Sequence, residues 1–210
     1  MKAIVTAGPT YEPIDPVRFI GNRSSGKQGY AIAKALHAAG FDVTLISGPT
    51  CLPDIKGITM TRLETAKEML AATQNVLPAD IIICAAAVAD WAPEFSDQKI
   101  KKGSKKPEIK LIENPDILKT ISNHNNRPKL VIGFAAETEN LIENATAKLE
   151  RKSCDWILAN DVSTTNGQNV FGTDENHVYL ITNSKQEDWQ RSSKTDIATR
   201  LVSEIKDFFK

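Results

Sequence analysis

The chain predicts an α/β fold of the Rossmann-like, doubly wound kind: a mainly parallel sheet, with a small additional strand region near the C-terminus. Three observations predict it. Short apolar runs rich in β-branched residues alternate with helix-period segments along almost the whole sequence. Glycine and proline punctuate the joins, as at Gly40 and Gly48-Pro49. The 210 residues suit one domain, and no repeat, low-complexity segment or linker divides 1–210.

Taken in order, residues 2–7 predict a short buried strand and 28–39 an alanine-rich helix closed by Gly40. A strand over 41–47 stops at Gly48-Pro49, and a third covers 58–62. Thr65 and Glu68 have the spacing of a capping box and open the next helix. The longest apolar strand is 80–88, and 109–112 predicts a short edge strand. Asn114-Pro115-Asp116 starts a helix with proline at its first position. A strand at 129–134, a helix at 139–151 and a strand at 156–159 follow. Residues 177–182 predict the last main strand, in a hairpin with 188–190, and 195–209 an amphipathic C-terminal helix.

Composition excludes several classes of function. Lys and Arg number 26, as do Asp and Glu, so no overall field favours nucleic acid or an anionic membrane. Phosphate recognition has to be local. The first residues begin a strand instead of a secretion signal, and no apolar run nears the roughly 20 residues of a membrane span. Cys51, Cys84 and Cys154 are odd in number and far apart, with no CxxC. They read as reduced thiols of a cytoplasmic protein, not as a disulfide frame or zinc site.

About twenty residues, 8–27, separate the first strand from its helix, where such units use about 2–6. This loop ends in Gly21-Asn-Arg-Ser-Ser-Gly-Lys27, which imitates a phosphate loop. Gln28 stands where that motif needs Ser or Thr for magnesium, so the reading fails. Ser24-Ser25-Gly26 still opens a helix whose N–H groups suit an anion. No GxGxxG follows the first strand, and Asp42 begins the second strand instead of ending it, which weakens a dinucleotide reading. There is no GxSxG, and His37, His124 and His177 lie in ordinary helix, turn and strand settings.

The densest chemistry lies over residues 84–106. Small side chains from Cys84 to Val88 let a ligand approach the backbone, and Asp90 can meet a ribose or a metal. Lys99, Lys101, Lys102, Lys105 and Lys106 then offer charge to phosphates. Without further context, a buried strand followed by a solvated charged loop explains this segment equally well.

Eight motifs occur in one order: Thr6-Ala-Gly-Pro-Thr, Glu12-Pro-Ile-Asp-Pro-Val-Arg, Asn22-Arg-Ser-Ser-Gly-Lys, Ala85-Ala-Ala-Val-Ala-Asp, Lys99-Ile-Lys-Lys, Asn114-Pro-Asp-Ile, Gly133-Phe-Ala-Ala-Glu-Thr and Ala159-Asn-Asp-Val. Together they resemble the phosphopantothenate–cysteine ligase (phosphopantothenoylcysteine synthetase) family of the bacterial CTP-using type, over about residues 2–205. The resemblance implies a Rossmann-like homodimer that uses CTP and Mg²⁺ to join 4′-phosphopantothenate to L-cysteine, through an acyl-cytidylate. It implies a stand-alone form, without the flavin-dependent decarboxylase half that many bacterial members carry.

The resemblance also assigns residues. Lys99 matches the lysine required for cytidylate formation, and Asn22 the asparagine that handles the acyl intermediate, as an amide donating to acyl oxygen or phosphate. Cys84, Ala85, Ala86, Asp90, Pro115, Asp116, Ile117, Leu118 and Phe134 match nucleotide contacts. Lys148 and Lys152 match nucleotide-binding lysines, four apart on one helix face. The metal ligands are unassigned. Gly21 departs from the serine or asparagine of many relatives. An ATP-using ligase, a non-catalytic nucleotide-binding module and an NAD(P) oxidoreductase are the competing readings.

Overall fold

The computed structural model describes residues 1–102, 108–162 and 173–210. In chain order the elements are β1 (Lys2–Ala7), β2 (Tyr11–Pro13), β3 (Phe19–Gly21), α1 (Lys27–Ala38), β4 (Asp42–Ser47), β5 (Thr59–Arg62), α2 (Ala66–Asn75), β6 (Ile81–Cys84) and β7 (Trp91–Pro93). They continue with β8 (Leu111–Glu113), α3 (Ile117–Ser122), β9 (Leu130–Glu137), α4 (Leu141–Lys152), β10 (Trp156–Asp161), β11 (Glu175–Thr182), β12 (Gln186–Ser193) and α5 (Lys194–Phe208).

Eight strands form one sheet in the order β12-β11-β10-β9-β6-β1-β4-β5. The six from β10 to β5 are parallel, and β11 and β12 add an antiparallel edge. Counted by their appearance in the chain, the parallel strands read 3-2-1-4-5-6 from the β5 edge, so the winding reverses between β1 and β6. Sheets of this kind bind ligands beyond the carboxyl ends of the strands at that reversal.

Period-two alternation divides the core. Ala3, Val5, Ile81 and Ile83 face α1 and α5, where Ile32, Leu36, Leu201 and Ile205 meet them. Ile4, Ile82, Val131 and Ile157 face α2, α3 and α4, packing with Met69, Ile121 and Leu149. Burying a side chain of this size stabilises by about 1.5–3 kcal/mol. Gly29 lets α1 lie close on β1, since an added Cβ would sit 2.5 Å from that of Ala7. The capping box of α2 forms: Thr65 Oγ1 accepts the Glu68 N–H at 3.3 Å, and the Glu68 carboxylate accepts the Thr65 N–H at 2.9 Å.

Several elements differ from the sequence reading. The strand predicted over 80–88 leaves the sheet after Cys84, because the loop following β1 takes up its backbone. Ala85 N–H donates to Thr6 O at 3.1 Å, Ala87 N–H to Gly8 O at 2.9 Å, and Thr10 N–H to Ala87 O at 3.2 Å. Pro115 does not fill the first helical position; Asp116 caps α3 by accepting the Lys119 N–H at 3.0 Å. The long loop over 8–27 contains a hairpin, β2–β3, and the strand predicted at 109–112 pairs with β7 outside the main sheet. Among the described residues, no helix is long and apolar enough to cross a membrane.

Candidate functional site

Two cavities, of ≈ 400 Å³ and ≈ 380 Å³, open near the carboxyl ends of β6 and β9. Ala86, Val88, Asp90, Phe134 and Lys148 line both, so they are halves of one crevice. The smaller half gathers ten residues assigned to nucleotide: Cys84, Ala86, Asp90, Pro115, Asp116, Ile117, Leu118, Phe134, Lys148 and Lys152. Ala85 lines the larger half instead, with Asn22.

Hydrogen bonds hold the wall of the smaller half. Thr6 and Thr10, both buried, accept the N–H groups of Ala86 at 3.3 Å and Ala89 at 3.0 Å through Oγ1. Asn114 N–H donates to Asp90 O at 2.9 Å, and Asn114 Nδ2 donates to Ala89 O at 2.9 Å. That second bond fixes the amide; Asn114 Oδ1 is buried with no partner among the described residues, and the residue lines the smaller half. An unsatisfied buried acceptor costs about 1–3 kcal/mol, which a ligand N–H or O–H would relieve. In sequence Asn114 marks the start of a helix and of the Asn114-Pro-Asp-Ile motif, with no ligand contact assigned to it.

The two lysines of α4 differ in their company. Lys152 forms an ion pair with Asp116. Burial works against the Asp116 charge, but hydrogen bonds from Lys152 and from the Lys119 N–H outweigh it and keep its carboxyl below the usual range. Lys148 faces both cavities, and burial holds its ammonium below the usual lysine value, with Glu137 opposing. Burial pushes the Cys84 thiol up to about 12, which rules it out as a thiolate nucleophile near neutral pH.

The larger half begins at the loop before α1. Gly26, at φ 74, occupies the left-handed region that glycine favours, and no side chain caps the helix. Gln28, the residue that breaks the phosphate-loop motif, donates from Nε2 to Lys194 O at 3.1 Å and ties α1 to α5. Lys27 and Asn160, from two of the motifs, complete the polar walls of this half together with Asn176 and Lys194, which lie outside every motif. Asn22 also lines this half. Its Nδ2 donates to Ala87 O at 3.2 Å and Val88 O at 3.0 Å, so it offers a ligand the acceptor Oδ1 instead of a donor. Gly21 has a local reason to be glycine: a Cβ there would lie 2.7 Å from the Tyr11 ring.

Lys99 lines neither cavity and is exposed, as are Lys101 and Lys102. Lys105, Lys106 and the tip of the basic loop lie outside the described residues. Among the described residues no group of three or more His, Cys, Asp or Glu side chains is arranged for a metal. Asp90 is the carboxylate common to both halves. Magnesium carried on phosphates needs only one or two protein carboxylates, so this donor set fits it.

Fold and crevice together define an α/β protein of the Rossmann class whose crevice opens where the sheet reverses its winding, the place at which such sheets bind ligands. Within that class, the chain belongs to the family of the DNA/pantothenate metabolism flavoprotein C-terminal domain, which it matches over residues 1–209. It is 44% identical over 207 residues to the coenzyme A biosynthesis bifunctional protein CoaBC of Haemophilus influenzae, covering 98% of this chain and 51% of that protein. The chain thus spans about half the length of the curated relatives it matches. The crystal structure of a CoaBC C-terminal domain superposes with a TM-score of 0.82 at 35% identity, covering 99% of this chain and 95% of that one. A Cab2 mutant in complex with phosphopantothenate-cysteine shares the fold, with a TM-score of 0.74 at 18% identity over 98% of this chain and 85% of that one.

Proposed function

We propose that this chain is a cytoplasmic ligase domain of coenzyme A biosynthesis, which joins 4′-phosphopantothenate to L-cysteine using CTP and Mg²⁺. The split crevice carries this reading: residues assigned to nucleotide gather in one half, Asn22 lines the other, and Asp90 and Lys148 are common to both. A ligase that activates an acid must bring a carboxylate to a nucleotide phosphorus, then admit an amine to the same carbon. Adjoining cavities with one basic wall suit that sequence. Family membership and the coenzyme A role of CoaBC support the reading, as does the ligand held by the Cab2 relative of the same fold.

In the first step a carboxylate oxygen of 4′-phosphopantothenate attacks the α-phosphorus of CTP, and pyrophosphate leaves. Lys148 meets the charge from the shared wall, and Lys99 meets the departing phosphates from the basic loop. Mg²⁺, when bound, neutralises phosphate charge, with Asp90 as its protein carboxylate. Asn114 Oδ1 accepts a hydrogen bond from the nucleotide. In the second step the cysteine amine attacks the acyl carbon, a C–N bond forms and CMP leaves. Asn22 Oδ1 accepts an N–H of that amine and aims it.

Incubation with 4′-phosphopantothenate, L-cysteine and each nucleotide in turn, followed by mass detection, tests the reading. Product with CTP and little with ATP is expected; no product with any nucleotide would sink it. The expected homodimer is supported by apolar side chains exposed on the two ribbons, among them Phe19, Trp91, Phe95 and Leu111. Light scattering of the purified chain checks it.

A further inference from the structure

Hairpin β2–β3 lines neither half of the crevice, yet it is fastened on two sides. On one side Glu12, 2% exposed, accepts the Ala66 N–H at the start of α2 through Oε1 at 3.0 Å. Tyr11 N–H adds a bond to Glu64 O at 2.8 Å. On the other side Asp15, also 2% exposed, accepts the N–H groups of Val17 at 2.9 Å and Arg18 at 3.0 Å, and pairs with the Arg18 guanidinium.

Two bonds then leave this turn for a single residue of the basic loop. Ile100 N–H donates to Asp15 Oδ2 at 3.1 Å, and the Arg18 guanidinium donates to Ile100 O at 2.9 Å. Ser96 N–H donates to Ile14 O at 3.0 Å, four residues earlier in the loop. Both backbone polar groups of Ile100 are thus gripped by one buried carboxylate and its guanidinium. The residue before it is Lys99. A lysine at the tip of an untethered loop would spread its charge over many positions. Electrostatic stabilisation of a leaving group depends on donors held in place before the reaction.

We propose that Asp15 and Arg18 are positioning residues for Lys99, clasping the Ile100 backbone so that the lysine is presented from a fixed main chain to the departing phosphates. This rests on the ligase reading and deepens it, by giving the hairpin a task in nucleotide activation. The planar guanidinium is needed because it spans the carboxylate and the Ile100 carbonyl together, which a point-charge ammonium cannot do.

The test compares Arg18→Ala and Arg18→Lys, each alone and combined with Lys99→Gln, in the full chain. Activation is read as pyrophosphate release without cysteine, and the clasp as amide hydrogen exchange at Ile100. Arg18→Ala should lower activation roughly 10- to 100-fold, as a misplacement of about 1 Å does. It should speed exchange at Ile100 while leaving the KM for cysteine unchanged. Arg18→Lys should restore the charge but little of the rate. Because Arg18 acts through Lys99, its loss should add nothing to Lys99→Gln, whereas a merely structural role would add its full cost. Additive losses would overturn the proposal, and so would full activity of Arg18→Ala beside an impaired Lys99→Gln. Full activity of Lys99→Gln would overturn it together with the role given to that lysine, a distinct result from failure of the clasp alone.

Discussion

The eight-stranded sheet and the two ribbons, β2–β3 and β7–β8, hold themselves together by different physics. The sheet relies on apolar burial: Ile4, Ile82 and Ile132 are 2% exposed or less, and helices cover both faces. The ribbons have three-residue strands and expose Phe19 at 53% and Trp91 at 52%. A two-stranded hairpin is marginal by itself in water. The β2–β3 ribbon persists because buried carboxylates, Glu12 and Asp15, bind backbone N–H groups elsewhere in the chain, and β7–β8 is joined to it where Asp15 holds Ile100 in the loop between its strands. The lesson is a division of labour: the sheet sets stability and the position of the crevice, while the ribbons carry adjustable charge. Substitutions should divide along the same line.

The largest effect on stability belongs to the sheet. Ile82→Ala should cost about 2–5 kcal/mol in denaturant unfolding; a cost near that of a surface change would break the comparison. Lys99→Gln should reverse the pattern, with stability intact and activation down about 10²–10³-fold by pyrophosphate release. Asn22→Asp removes two donors and sets a carboxylate against the carbonyls of Ala87 and Val88. It should leave acyl-cytidylate detectable by mass and slow transfer to cysteine about 10- to 100-fold. Accumulation of intermediate in the Lys99 variant and not in the Asn22 variant would exchange the two roles. Phe95→Ser, on the ribbon surface, should move unfolding by no more than about 0.5 kcal/mol while weakening self-association in light scattering.

The smallest effect concerns acid. The Arg18 guanidinium beside Asp15 holds its carboxyl far below the ordinary value of 3.8. A lowered folded-state value means that its contribution is full above the ordinary carboxylate range and is lost only as pH falls through the lowered value. Once corrected for intrinsic exchange chemistry, protection of the Ile100 amide should therefore be level from about pH 7 to about pH 4. A loss of protection inside that window would show that the clasp does not depend on this charge.

Legibility follows the same division. The main strands read from sequence because alternating apolar side chains are a local signal, and the six parallel strands stand close to where those runs fall. Of the ribbon strands only β8 reads from sequence; Tyr11–Pro13 and Trp91–Pro93 hide because each is short and ends in proline, which ordinarily argues against a strand. In β12 only the centre reads as strand, since Gln186–Ser193 is mostly polar and Gln190 adopts a positive φ of 52°. The smaller half of the crevice is legible through the motifs, because most of the residues that the resemblance assigns to nucleotide line that one cavity. The clasp is not, because its bonds join residues 85 and 82 positions apart. The direction of the Asn22 amide is hidden for the same reason: it answers to carbonyls 65 and 66 residues further on.

The common wall of Asp90 and Lys148 has a practical consequence for inhibitor design. Two fragments, one seated in each half, would lie side by side with only that wall between them. Joined by a linker of the right length, the second would bind at the effective concentration set by the first, which reaches about millimolar for short flexible links. The joined molecule would lose its translational and rotational freedom once instead of twice. Weak hits for either half are therefore starting points for one compound that fills both.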